Sequence, residues 1–144
     1  GRIPGGGNMA MRRILLDEVG VFNTSLGRTG KRLIGGEESE LFERIADKGY
    51  EWYYVPRAVM YHIIPKEKLT EEYLSRLSYN VGVSQLRRAR YYHRIGRVKA
   101  KECLKWVATL LIMAWYAVTL QWNKAKHLFI MRKQITRGIW SKNI

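Results

Sequence analysis

Up to His62 the chain mixes helical and strand-like spacings of apolar residues; beyond it only helical spacing remains. Met9 to Val19 reads as a short helix stopped by Gly20. Asn23 to Gly36 is turn-rich, with glycines at 27, 30, 35 and 36, and reads as a mobile loop carrying Arg28, Lys31 and Arg32. Glu37 to Lys48 is expected to be a second helix, with Leu41, Phe42 and Ile45 as its apolar stripe and Gly49 as its stop. Residues 51–55 and 58–62 are rich in Tyr, Trp and Val and read as two short strands broken at Pro56. Thr70 to Tyr92 is predicted as a long helix with Leu74, Leu77, Val81 and Ser84 on one face. Gly96 punctuates, and two more helices follow, about 98–122 and 124–140.

Two short strands do not make a stable sheet alone. They must add to a sheet formed elsewhere, or the chain must pair with a second copy as a homodimer. The expected fold class is therefore α/β, mostly helical with a small sheet of short strands, and the chain looks like a piece of a larger protein.

With 144 residues, 47% hydrophobic and 26% charged, this is a folding chain with room for one ordinary domain. The single cysteine, Cys103, excludes an intramolecular disulfide and a multi-cysteine metal site; it reads as a packed thiol. Gly1 to Asn8 is polar and glycine-rich and does not read as a signal peptide, so a cytoplasmic setting is expected. The net charge of +14 is unevenly placed. Residues 1–86 hold 12 Lys/Arg against 11 Asp/Glu, whereas residues 87–144 hold 14 against Glu102 alone. Such a tail suggests an anionic partner, nucleic acid or a membrane surface. Its long uncharged stretch, Trp106 to Asn123, favours an anionic membrane over nucleic acid.

Candidate chemistry is sparse. Glu37 and Glu38 follow the Gly35-Gly36 pair, where a carboxylate facing a cleft can take a proton from a hydroxyl. The plainer account is acidic charge at the positive end of a helix dipole. His62 ends a strand-like run and could reach a metal or phosphate, or simply be a hydrogen-bonded surface histidine. His93 and His127 lie in basic helical surroundings and point to no site. The Gly5–Gly7 run permits close backbone approach to a ligand but matches neither G-x-G-x-x-G nor a P-loop. D-x-D, H-E-x-x-H, G-x-S-x-G and C-x-x-C are all absent.

The order of the pieces is more specific than any one of them. Gly6-Gly7-Asn8-Met9-Ala10-Met11-Arg12-Arg13, Val19-Gly20-Val21-Phe22-Asn23, Leu26-Gly27-Arg28, Gly36-Glu37-Glu38-Ser39-Glu40-Leu41-Phe42-Glu43-Arg44, Lys48-Gly49-Tyr50 and Tyr54-Val55-Pro56-Arg57-Ala58-Val59-Met60-Tyr61-His62 follow one another. This series resembles the C-terminal half of the catalytic domain of family-2 nucleotide-sugar glycosyltransferases, closely over residues 6–62. The resemblance implies a Rossmann-like GT-A fold whose nucleotide-binding, D-x-D-bearing half is absent here, so that these 144 residues alone would be inactive. Residues 1–68 would be the catalytic part and 69–144 a basic, hydrophobic helical tail.

The resemblance further implies sugar transfer with inversion, from a nucleotide-sugar donor to a glycan or lipid-linked acceptor, in surface polysaccharide synthesis. The family's usual Glu-Asp pair appears here as Glu37-Glu38, which makes Glu38 the implied base and Glu37 its neighbour. Gly7 and Asn8 would line the sugar and acceptor side, and Leu26–Gly36 would lie over the acceptor. His62 would help hold Mg²⁺ or Mn²⁺.

Trp106 to Asn123 is 18 uncharged residues, about 27 Å as a helix, near the roughly 30 Å of a bilayer core. Three readings stand: a hairpin lying in the membrane interface, a buried helix in a dimer or against the catalytic part, or a span. Interfacial binding at the inner face of a bacterial cell membrane suits the interspersed Trp and Tyr and the flanking lysines. A non-catalytic basic module binding nucleic acid is the competing class, since Arg87, Arg88, Arg90, Arg94 and Arg97 could track phosphates.

Overall fold

A computed structural model describes residues 6–28 and 33–142. The described residues divide into two compact units, one built from residues 6–27 and 35–63, the other from residues 28, 33–34 and 64–142.

The first unit holds α1 (Arg13–Val19) and α2 (Glu37–Asp47). Leu41, Phe42 and Ile45, the stripe expected from sequence, are its buried centre. Met9, Met11, Leu15, Leu16, Val19, Phe22 and Trp52 pack around them, and Trp52 meets Phe42 edge-on at 5.2 Å. Gly49, at φ 81°, closes α2: its N–H donates to the Ala46 carbonyl while Tyr50 N–H reaches back to Ile45 O. That pair of bonds is the glycine-terminated C-cap that the sequence signals.

The two expected strands do not form, and the α/β expectation is corrected: among the described residues there is no strand and no sheet, only helices and irregular chain. Residues 51–55 and 58–62 run irregularly on either side of a turn at Pro56 and Arg57. Ala58 N–H donates to Val55 O and Val59 N–H to Arg57 O, so local turn bonds replace a ladder. Aromatic and β-branched composition favours strands only where a neighbouring surface covers them. Here Tyr53, Tyr54, Tyr61 and Ile63 are exposed.

The second unit contains a short 3-10 turn at Lys66–Lys68, then α3 (Glu71–Tyr91), α4 (Ile95–Val118) and α5 (Trp122–Ile139). Thr70 caps α3, its hydroxyl accepting from Tyr73 N–H at 3.2 Å. Pairings of Glu71 with Lys126 and of Gly82 with Gly138 show α3 and α5 running parallel, with α4 antiparallel to α5. α5 packs along both other helices.

The buried face of α3 follows the predicted one only in part: Ser84 is buried and Leu74 and Leu77 are half-buried. Ser78, Gly82, Val83, Ser84, Leu86 and Ala89 are buried, whereas Val81 is exposed. Small residues win because α3 and α5 cross almost backbone to backbone. A Cβ on Gly82 would overlap the Ile135 carbonyl oxygen, and one on Gly138 would overlap the Tyr79 carbonyl oxygen.

Helix boundaries in this unit also shift. α3 ends at Tyr91 with His93 at φ 52°, and Gly96 lies inside the first turn of α4. α4 ends at Val118 with Leu120 at φ 57°, four residues before the expected stop. Its uncharged part is thus Trp106–Val118, about 20 Å long and well short of a bilayer core of about 30 Å. Among the described residues no helix is long and apolar enough to cross a membrane, which removes the span. Cys103 is exposed, not packed as expected.

Candidate functional site

Gly36, at φ 105°, turns the chain into α2 from the left-handed region that glycine occupies without strain. Glu37 and Glu38 therefore open the helix in its first turn. The Glu38 carboxylate lies where a side chain on Gly6 would begin: a Cβ there would overlap Oε1 and sit 3.0 Å from Cδ. The next glycine is less tightly placed: a Cβ on Gly7 would lie 3.0 Å from Cε of Met60. Asn8 then donates its Nδ2 to the Ala58 carbonyl at 2.6 Å. Three stretches far apart in sequence, 6–8, 36–38 and 58–60, are thereby drawn into one cluster with the half-buried Glu38 in it.

Glu37 has a different setting. Its carboxylate packs on Gly27 and Gly35, with a would-be Gly27 Cβ 3.6 Å from its Cδ. Oε2 of Glu37 is buried and has no hydrogen-bond partner among the described residues. Leaving a buried acceptor unmade costs about 1–3 kcal/mol, so this oxygen is poised to accept a donor.

His62 is exposed. Among the described residues no three His, Cys, Asp or Glu side chains come together as metal ligands. Mg²⁺ or Mn²⁺ prefers several oxygen ligands. One exposed imidazole does not fit that need. Residues 29–32, within the expected acceptor loop and including Lys31 and Arg32, lie outside the described residues.

Two networks were missed in the sequence. Glu40 is buried and accepts both Nε and Nη2 of Arg44 at 2.8 and 2.9 Å. Arg44 also donates to the carbonyls of Val19, Gly20 and Val21, tying the end of α1 to α2. The i,i+4 spacing of Glu40 and Arg44 was the available signal. In the second unit Glu102, 1% exposed, pairs with Arg132 at 3.1 Å. Thr136 and Thr109 complete this network, and Trp106 Nε1 donates to Thr136 at 2.8 Å. The lone acid among fourteen bases marked it.

A recess in the second unit, lined by Lys68, Leu69, Thr70, Glu71, Leu74 and His127, contains none of the expected site residues. Within it Glu71 accepts from Lys126 Nζ at 2.6 Å, and this hydrogen bond is the main cause that holds its pKa below the ordinary carboxylate value. Comparison with protein-family models, with curated proteins and with solved structures finds no match to this chain.

Proposed function

We propose that the chain supplies the acceptor-side residues of an inverting nucleotide-sugar glycosyltransferase resembling family 2, acting on a glycan or lipid-linked acceptor. The observation that carries this reading is the Glu38 carboxylate set against Gly6, beside the Asn8–Ala58 hydrogen bond. Residues 6–8, Glu38 and residues 58–60, from three of the motifs that resemble the family's, come together in the first unit. Glu38 is the base: it takes the proton of the acceptor hydroxyl as that oxygen attacks the anomeric carbon, from the face opposite the departing diphosphate. Such assistance contributes about 10²–10⁴-fold. Glu37, with its unpartnered buried oxygen, is the neighbouring acceptor that orients the incoming hydroxyl. No D-x-D pattern occurs in the 144 residues, so the donor diphosphate would be held by residues outside them.

The second unit, with its excess of basic charge, holds the protein peripherally at the anionic inner face of the cell membrane. Nucleic-acid binding gains less support, because the apolar residues that α4 exposes have no use on a phosphate backbone.

The test is Glu38→Gln in the protein assembled with its donor-binding part, assayed for sugar transfer from labelled nucleotide-sugars. Turnover should fall about 10²–10⁴-fold with donor binding retained. Near-normal turnover would pass the base role to Glu37. No transfer by the unsubstituted protein from any of a panel of nucleotide-sugars would overturn the enzyme reading.

A further inference from the structure

α4 is built inside out. Its two buried residues are polar, Glu102 and Thr109, and both face α5. Its large apolar residues face away: Leu104, Val107, Leu111, Trp115 and Val118 recur at steps of three and four, each between 59% and 79% exposed. That spacing makes one continuous stripe, about 21 Å from end to end. At its far end the turn into α5 adds Leu120 and Trp122, also exposed, so the tip of the hairpin is apolar as well. A helix in water ordinarily buries its apolar stripe and wets its polar one. A contiguous exposed apolar face of this kind marks a surface that is covered in use.

Charge decides between the occupants. The only acid on α4 or α5 is the buried Glu102, so every exposed charge on the two helices is positive. Arg97, Lys101 and Lys105 adjoin the stripe at its start, and Lys124 follows its tip. A second copy docked through the same face would set these cations against one another with no exposed acid on either helix to offset them. Lipid phosphates supply the opposite sign, and Trp115 and Trp122 suit the boundary between headgroups and acyl chains. The Glu102–Arg132 pair lets the hairpin keep its one acid away from that surface.

We infer that α4 lies in the headgroup region of an anionic bilayer, with the stripe from Leu104 to Val118 and the Leu120–Trp122 tip inserted and the flanking lysines and arginines on lipid phosphates. This rests on the membrane part of the proposed function and not on the sugar-transfer chemistry, which a vesicle experiment leaves untouched.

The full chain is mixed with phosphatidylcholine vesicles, with or without about one-third phosphatidylglycerol, and binding is read by co-sedimentation. Binding should be much stronger with the anionic lipid and weaken only in part with salt, since the apolar share is not screened. Leu111→Ser with Val118→Ser, both at exposed positions, should lower the affinity about tenfold or more while helical circular dichroism is unchanged. Should that variant lose helix, Trp115→Phe keeps the test. With brominated acyl chains the unsubstituted protein's tryptophan emission should be quenched, and Trp115→Phe should remove much of the quenching. Equal binding to neutral vesicles, undiminished binding by the serine variant, or absence of quenching would overturn the inference. So would a dimer that the serine substitutions convert to monomer without any vesicle binding, which would assign the stripe to self-association.

Discussion

Arg132 on α5 directs Nη1 between the two carboxylate oxygens of Glu102 on α4, at 3.1 and 3.2 Å. Thr136 Oγ1 lies 3.0 Å from Oε1, and Arg132 Nε donates to Thr109 Oγ1 at 3.1 Å. Removing one partner of such a pair strands the other charge inside the bundle. Glu102→Ala should therefore destabilise the second unit by about 3 kcal/mol or more. Glu102→Leu combined with Arg132→Leu should cost less than Glu102→Ala alone, because no buried charge is then left unpaired. Urea unfolding of the three proteins measures the difference, and equal losses would show that the pair is not coupled.

Gly82 and Gly138 set how closely α3 and α5 approach. A Cβ on either would come within 2.9 Å of the other's Cα and would overlap a backbone carbonyl that no rotamer change can move. Alanine ordinarily favours a helix over glycine by about 1 kcal/mol. Here overpacking should win, so Gly82→Ala or Gly138→Ala should destabilise by about 1–3 kcal/mol in thermal unfolding. A rise in melting temperature would mean that the crossing is looser than described.

Glu71 gives the second unit a pH dependence of known sign. Its hydrogen bond from Lys126, assisted by the charges of Lys126 and His127, favours the ionised carboxylate and lowers the pKa. The stabilisation is present above the unfolded-state pKa and is lost as pH falls through the lower, folded-state value. Lys126→Met should raise the Glu71 pKa toward its ordinary value, as read by NMR titration of the side-chain carboxyl. Both groups are largely exposed, so the effect should shrink in high salt.

How far the fold could be read from sequence depended on whether the decisive contacts were local. Leu41, Phe42 and Ile45 showed themselves as the buried face of α2 because one helix stripe suffices to reveal them. The five helices were all foreseen, Thr70 as the start of α3 included. The strands failed because strand formation needs a covering partner that composition cannot supply. The face of α3 was foreseen only in part because Gly82 and Ser78 are buried by backbone proximity and carry no apolar signal. At the site, Glu38 and the Gly7–Asn8 loop were named from the resemblance alone, whereas the contact of Glu38 with Gly6 and the exposure of His62 needed coordinates.

Helices α2 and α3 each end on a residue with positive φ. Gly49 fulfils that role after α2, but after α3 it falls to His93. The cap is otherwise the same: Arg94 N–H reaches Ala89 O at 2.7 Å and His93 N–H reaches Arg90 O at 3.1 Å. An L-residue pays steric strain in this region that glycine does not, about 1 kcal/mol. His93 is exposed. His93→Gly should thus keep the α3–α4 turn and stabilise the second unit by about 0.5–1 kcal/mol, the gain being trimmed by glycine's greater freedom when unfolded. Thermal unfolding checks it, as a rise of a few degrees. A fall would mean that the imidazole itself holds the corner, through a contact stronger than the strain it carries.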